Sequence, residues 1–441
     1  MLSKADNELL TRVGPGTPMG NLMRQYWIPV LLSTELEPGG KPKRVRLLGE
    51  SLIAYRAANG QAGLIGEFCP HRRVSLYFGR VEACGMRCAY HGWAFDLSGQ
   101  CIDMPNEPPE SNFKHKVRTT AYPCREQGGV IWTYMGPAAE PPPLPELEWT
   151  LLPPEHVFVS KRLQRCNYFQ ALEGGIDSSH INFLHAPLRR DDPEMIAELT
   201  KGGFGVGLAA QVSDTAPRFE VVDTDYGVLI GARRTLPDGR YYWRITQFLM
   251  PFYTMPPTEL EDPMPQSHIW VPMDDEHVVN WMITWHPRRP LTEEELAAQV
   301  GGKGSHVVDY APPTSAPYGD IIPANGPHND YGMDWEAHRT RLFCGIPGFG
   351  MQDQAIQESA GPIVDRSLER LGTSDTAIIQ VRRRLLNAAK ALRDRGTPPP
   401  GQDPAAYAVR PASVILPPDV MWVEGAMDRL VVRPGRQLIY A

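Results

Sequence analysis

The 441-residue chain has no stretch of 18 or more apolar residues, so no membrane span is expected. No basic run exceeds Arg382-Arg383-Arg384, and the formal net charge is −7, so nucleic-acid binding has no electrostatic support. The first residues, M-L-S-K-A-D-N-E, contain no apolar signal core; the expected location is the cytoplasm. No Gly-rich nucleotide motif of the Rossmann type is present, so NAD(P)H would be oxidised by another protein. No internal repeat is evident. The seven cysteines, at 69, 84, 88, 101, 124, 166 and 344, are odd in number and widely spread, which argues against a disulfide framework. Four of them lie between 69 and 101, a concentration better explained by metal chemistry in a reducing compartment.

Apolar residues at 42% and charged residues at 22% describe an ordinary globular protein, long enough for two cores. Proline is abundant: 44 residues, about twice the usual share. The prolines cluster at 137–154, 251–272, 311–327 and 397–418, read as loops and boundaries. Residues 2–12 predict a short helix stopped by Gly14-Pro15-Gly16. Short β runs follow at Tyr26–Val30, Val45–Leu48, Leu52–Tyr55, Gly63–Phe68, Trp93–Cys101 and Val130–Met135. Beyond a stiff proline-rich linker, further β runs (Val157–Val159, Phe219–Val222, Val228–Ile230, Tyr241–Met250, His268–Val271 and Val278–Trp285) surround helices expected at 168–185, 351–371 and 374–395. The expected division is a helix and arm at 1–39, an all-β unit at 40–137, a linker at 138–148 and an α+β unit at 149–441.

Two stretches carry chemistry. In the first, Cys69 and His71 form a C-x-H pair and Cys88 and His91 a C-x-x-H pair, with sixteen residues between the pairs. Two thiolates and two imidazoles can hold zinc, or a [2Fe–2S] cluster in which two His replace two Cys on one iron. Zinc fingers usually pair like with like. Here each loop supplies one Cys and one His, as a cluster with one thiolate-bound and one imidazole-bound iron requires. Cys84, Cys101, Cys124, Cys166 and Cys344 fall outside the pattern. The second stretch is E-G-G-I-D-S-S-H-I-N-F-L-H, Glu173 to His185. Asp177 and His180 stand at i, i+3, whereas His185 lies about 140° further round an ideal helix. Both imidazoles reach one metal only if the helix is frayed or bent near Pro187. Two His and a carboxylate form the facial triad of mononuclear Fe(II) oxygenases, which leaves positions open for dioxygen. The remaining histidines (115, 156, 268, 277, 286, 306, 328 and 338) lack ligand spacing and are read as surface or satisfied-core residues.

The segment C-x-x-H-G-W, ending at Trp93, closely resembles the Rieske cluster motif. With D-x-x-H-x-x-x-x-H downstream, essentially the whole chain resembles the large (alpha) subunit of Rieske non-haem iron aromatic-ring oxygenases. Residues 6–20, 170–180 and 371–375 resemble the phthalate dioxygenase group in particular. The resemblance implies an α+β architecture: an all-β Rieske domain followed by an antiparallel sheet with helices, of the helix-grip type. It implies Cys69, His71, Cys88 and His91 as cluster ligands, and His180 and His185 as ligands of a mononuclear Fe(II). Asp353 would be the third iron ligand, with Glu358 as runner-up. Asp177 would bridge a Rieske His of one protomer and an iron-ligating His of the next, within a C3 homotrimer or a stacked hexamer. Electrons would come from a separate NAD(P)H-dependent flavin/iron–sulfur reductase, with or without a ferredoxin.

The same resemblance implies oxygenation of an aromatic carboxylate, held by Arg244 with help from the Ser179 hydroxyl. An Asn common in the family three residues before the Asp is here Gly174. Phthalate would favour a second cation, yet the stretch from Lys201 to Gly207 offers no Arg, which fits a larger or differently substituted aromatic acid. Ring dihydroxylation and O-demethylation of a methoxylated mono- or biaryl acid share the same iron ligands. A non-catalytic Rieske electron carrier and a zinc-stabilised binding protein are the readings of a different class.

Overall fold

The structure, a computed structural model, describes residues 2–111, 113–188, 207, 210, 211, 214–257, 259–301 and 304–440. Three small antiparallel sheets form the N-terminal part. Trp27–Leu32, Val130–Tyr134 and Cys124–Gln127 make the first; Lys43–Leu47, Glu50–Arg56, Ala62–Gly66 and Ala121–Tyr122 make the second. The third joins Arg80–Val81, Gly85–Arg87, Ala94–Asp96 and Cys101–Asp103. The stretch read as an arm therefore supplies a strand. Trp27 pairs with Tyr134, and the register shifts between Pro29 and Leu31, where proline cannot donate to the ladder.

The C-terminal part is built on one large antiparallel sheet. Its strands run in the order Val157–Gln164, Val278–Trp285, Gln266–Pro272, Tyr253–Met255, Tyr241–Leu249, Gly227–Thr235 and Arg218–Asp223, and Ala412–Leu416 also pairs with Tyr241–Leu249. Val278–Trp285 is buried along its whole length, so both faces of the sheet are covered at this strand. Helix Tyr168–Ile176, here called the site helix, packs on Tyr253–Met255 and Gln266–Pro272 and against helix Phe349–Ser359. The 20-residue helix Thr376–Arg395 crosses Arg218–Asp223 and ends at Gly396, whose φ of +64° makes a left-handed cap. The two parts are joined by backbone: Leu48 and Gly49 N–H donate to the carbonyls of Pro272 and Met273 at 3.0 and 2.9 Å. Buried Lys161 also pairs with Glu35, which takes Lys43 on its other oxygen at 3.0 Å.

The β runs correspond to strands, but several helices differ from expectation. The helix expected at 168–185 stops at Ile176. Gly174 and Gly175 weaken its last turn, and the Ser179 N–H donates to the Asp177 side chain at 2.6 Å, offering the backbone an alternative to helix. The helix expected at 351–371 runs from Phe349 to Ser359 and is closed by Gly361, at φ +85°, followed by Pro362. Helices Pro18–Met23, Glu293–Val300, Trp335–Thr340 and Trp422–Leu430 were not foreseen, nor was strand Ala412–Leu416 inside a proline-rich stretch. Among the described residues, no helix is long and apolar enough to cross a membrane.

Glu173 anchors the site helix. It accepts from Arg366 at 2.9 Å and Arg382 at 2.6 Å, and both guanidinium groups are buried. Removing one partner of a buried ionic cluster leaves the others uncompensated. Glu173→Ala is expected to destabilise the protein by about 3–5 kcal/mol, read as a lowered calorimetric midpoint.

Candidate active site

Two loops of matched design carry the Cys and His pairs. Each is closed by a hydrogen bond from the Cys N–H to the carbonyl five residues on: Cys69 to Val74 at 2.9 Å and Cys88 to Trp93 at 2.8 Å. Each turns through a left-handed residue four positions after the Cys, Arg73 at φ +60° and Gly92 at φ +76°. Arg87 braces the second loop by donating to the Gly92 carbonyl at 2.6 Å. Both thiols are buried, while both imidazoles are half-buried, with ring centroids 4.5 Å apart. The His71 ring stacks on Trp93 at 4.3 Å. Burial, with the Cys88 thiol adding to it, pushes the Cys69 thiol up. A thiolate there needs a cation beside it. The His91 Nδ1 is buried with no hydrogen-bond partner, and burial, then the charges of His71 and Arg72, lowers its imidazolium. Two buried sulfurs and two neutral-capable imidazoles at the outer edge suit a cluster with one iron of each kind.

The second centre lies where the chain leaves the site helix. His180 starts a single 3-10 turn and His185 follows it, so neither is on the α-helix. His180 Nε2 and His185 Nε2 are 3.2 Å apart, and the Asp353 carboxylate stands 3.5 and 3.3 Å from them. A metal about 2.1 Å from each ligand places neighbouring ligands at right angles roughly 3.0 Å apart, so the three atoms are spaced for one face of an octahedron. The opposite ring nitrogens are occupied: His180 Nδ1 faces Asp177 Oδ2 at 3.5 Å, and His185 Nδ1 meets Gln352 Oε1 at 2.7 Å. These contacts put the hydrogens on Nδ1 and leave both Nε2 lone pairs for a metal. Burial would lower the His180 imidazolium, but Asp177 and Asp353 outweigh it and raise it to about 10. The site is therefore built for a positive charge. Burial alone would raise Asp353, yet the two histidines hold it far below the usual carboxylate range. Glu358 is committed elsewhere: it accepts from Arg165 N–H, Gln354 and Tyr331 at 2.7–2.8 Å.

A cavity of about 420 Å³ opens beside this centre. Strand alternation aims Tyr242, Arg244 and Thr246 into it from one strand, and Gln266, His268 and Trp270 from another. Arg244 Nε donates to Ser178 Oγ at 3.3 Å. Among the described residues, Arg244 forms no ion pair within 4 Å. Ser178 lines the cavity and Ser179 does not, because Ser179 opens the 3-10 turn with its N–H bound to Asp177. Arg234, buried and bonded to the Ser178 carbonyl at 3.0 Å, adds a second positive charge behind this end. Burial, then the charge of Arg244, lowers its guanidinium to about 10. Glu259 also lines the cavity; burial raises its carboxyl, against the charge of Arg244. Of residues 201–207, the stretch that offers no Arg for a second carboxylate, 201–206 lie outside the described residues. Arg234, Glu259, His268 and Gln357 have no spacing in the chain that marks them as a group, because sheet pairing, helix packing and a loop bring them together. A Cβ on Gly174 would lie 2.4 Å from Gln357 Nε2, so this glycine makes room for an amide from the facing helix.

Comparison with known proteins agrees with this geometry. Residues 26–123 match the Rieske [2Fe-2S] domain family, and residues 133–423 match the family described as LigXa C-terminal domain like. The chain is 41% identical over 431 residues to the 3-chlorobenzoate-3,4-dioxygenase oxygenase subunit of Comamonas testosteroni, covering 96% of this chain and 98% of that one. It is 39% identical over 409 residues to the phthalate 4,5-dioxygenase oxygenase subunit of Pseudomonas putida, covering 89% and 87%. It is 31% identical over 427 residues to the 5,5'-dehydrodivanillate O-demethylase oxygenase subunit of Sphingobium sp., covering 93% and 85%. A carbazole-bound oxygenase–ferredoxin complex of carbazole 1,9a-dioxygenase shares the fold, with a TM-score of 0.54 at 18% identity over 88% of this chain and 95% of that one. The chain belongs to the Rieske non-haem iron aromatic-ring oxygenases, as a large oxygenase subunit of the phthalate dioxygenase-like group. Its cofactors are a Rieske [2Fe–2S] cluster and a mononuclear iron, which the two donor sets fit.

His185→Ala is expected to abolish mononuclear iron binding, measured by metal analysis, while the visible absorption and reduced-state EPR signal of the cluster remain. Gln352→Leu, which leaves all three ligands in place, is expected to weaken iron affinity by about 10–100-fold in a chelator competition.

Proposed function

We propose that this chain is a terminal oxygenase component that oxygenates an aromatic carboxylate at an iron held by His180, His185 and Asp353. In this reading Cys69, His71, Cys88 and His91 hold the cluster that relays electrons from a separate NAD(P)H-dependent reductase, directly or through a ferredoxin. A ferredoxin is present with the carbazole dioxygenase oxygenase that shares this fold, which supports such a partner. The iron supplies dioxygen activation and the cluster supplies single electrons. The observation that carries the substrate class is Arg244, a cation without an ion pair among the described residues, in the cavity that the three ligands border. An unpaired guanidinium in a partly apolar cavity is costly unless an anion completes it, and its planar fork matches a carboxylate. Ser178 fixes one nitrogen of the fork. Trp270, Ile181 and Phe349 line the walls and would exclude water around an aromatic ring.

One cation lines the cavity among the described residues, and Glu259 would repel a second carboxylate nearby. This favours a monocarboxylate over phthalate. A ring-dihydroxylated product is the first expectation, in line with the relatives named as 3-chlorobenzoate and phthalate dioxygenases. O-demethylation of a methoxylated mono- or biaryl acid is the second reading, favoured by the relative named as an O-demethylase.

Asp177 holds His180 through Oδ2 and the Ser179 N–H through Oδ1, and its side chain keeps 24% exposure. This supports its role as a bridge to the cluster of a neighbouring protomer, in a C3 homotrimer or two stacked trimers.

Reduced protein given ¹⁸O₂ and a panel of substituted benzoates should yield, in a single turnover, a cis-diol carrying two labelled oxygens. Formaldehyde from methoxybenzoates would instead establish the second reading, and the absence of either product would refute both. Arg244→Lys keeps the charge and loses the fork; KM for the acid is expected to rise about tenfold or more, with a smaller change in kcat. Asp177→Asn is expected to load both centres normally and to elute at three times the 49.2 kDa chain mass or a multiple of it, while cluster reoxidation in single turnover slows sharply.

A further inference from the structure

His268, read from sequence as a surface or core residue, faces the cavity from strand Gln266–Pro272. Its ring lies flat against buried Trp270, with centroids 4.9 Å apart and planes 9° from parallel, so the ring plane is held. Its Nδ1 stands 3.1 Å from Asn280 Oδ1, an acceptor, so the ring hydrogen is on Nδ1. Asn280 Nδ2 donates to Gln164 Oε1 at 3.3 Å, and Gln164 Nε2 donates to Gln357 Oε1 at 2.9 Å. Asn280 and Gln164 are fully buried, and Gln357 lines the cavity beside Gly174. The series has one direction: each amide gives its nitrogen to the next oxygen. One end therefore presents NH₂ to the cavity at Gln357, and the other leaves His268 Nε2 as a lone-pair acceptor. Burial, then the charge of Arg162, lowers the His268 imidazolium to about 4, so the neutral ring persists near neutral pH.

Arg244 and the Gln357 amide offer hydrogens to the cavity, and the His268 ring lacks one at Nε2. We propose that His268 is a specificity-determining residue whose Nε2 accepts a hydrogen bond from a hydroxyl or amino substituent on the aromatic ring of the substrate. The substrate class is then an aromatic acid bearing a ring hydrogen-bond donor, its carboxylate at Arg244 and its donor at His268. This assignment rests on the carboxylate reading of the cavity. A site built to accept a hydrogen bond discriminates against an analogue that lacks the donor more strongly than an apolar wall discriminates by size.

The test is anaerobic calorimetric titration of the iron- and cluster-loaded enzyme with 3- and 4-hydroxybenzoate, 3- and 4-aminobenzoate, the isosteric methylbenzoates and the nitrobenzoates. At one ring position or the other, the hydroxy and amino acids are expected to bind about tenfold more tightly than the methyl acid. His268→Phe should erase that preference, bringing the ratio of hydroxy- or amino- to methylbenzoate dissociation constants to about one, and His268→Gln should restore part of it. Equal binding of hydroxy, amino and methyl acids by the unaltered enzyme overturns the proposal without any variant. So does a preference for nitrobenzoates, which would mean the amide series runs the other way, or a preference that survives in His268→Phe. If no benzoate binds, the carboxylate reading fails instead. Phenol and aniline against toluene then decide His268 alone: a donor preference upholds its role and equal binding ends it.

Discussion

The structure depends on one close approach. Three candidate ligand atoms, from His180, His185 and Asp353, meet within 3.5 Å of one another although Asp353 lies some 170 residues along the chain from the histidines. That meeting requires the site helix to press against both the sheet and helix Phe349–Ser359. Gly175 permits the first contact, since a Cβ there would sit 2.5 Å from Thr254 Oγ1; Gly174 permits the second. The same glycines end the helix, and the 3-10 turn that follows brings two imidazoles to one point that a continued helix would keep apart.

Around this meeting the charges are sorted. Carboxylates crowd the iron side, where Asp177 and Asp353 both act on His180. Guanidinium groups stand at the Ser178 end of the cavity, with Arg244 lining it and Arg234 behind. A metal cation suits the first group, and in the proposed reading a carboxylate anion suits the second. Between them runs a series of neutral amides, from Gln357 to Asn280, which carries direction without charge. In the proposed reading the amides shape what the middle of the cavity accepts, and the charges set the places of the metal and the carboxylate.

Much of the fold was legible because strand signals are local. The alternating or wholly apolar runs at 45–55, 219–230, 241–250 and 268–285 coincide with strands. The helix read at 168–185 was too long because its apolar periodicity continues after the backbone has turned. Competition from the Asp177 side chain and the weakness of two glycines do not show in a periodic count. Strand Ala412–Leu416 went unseen because a proline-rich neighbourhood reads as loop, yet pairing with Tyr241–Ile245 makes it a strand. The Ser178–Ser179 pair illustrates the finest scale: adjacent identical residues cannot be told apart until the turn fixes which one faces the cavity.

By itself the sequence determined the chemistry of the metal donors. Paired Cys/His spacing and the D-x-x-H-x-x-x-x-H run depend on residues close in the chain, and short loops leave few ways to arrange them. The family likeness added Asp353. The family likeness also pointed to Arg244, but which other groups face the cavity with it was decided by tertiary structure. Arg244, Glu259, His268, Gln164, Asn280 and Gln357 stand on six separate elements or loops and carry no mutual spacing. Sheet register and helix packing alone make them neighbours, and a hydrogen bond or a charge acts over a few ångströms of space, however many residues of chain lie between.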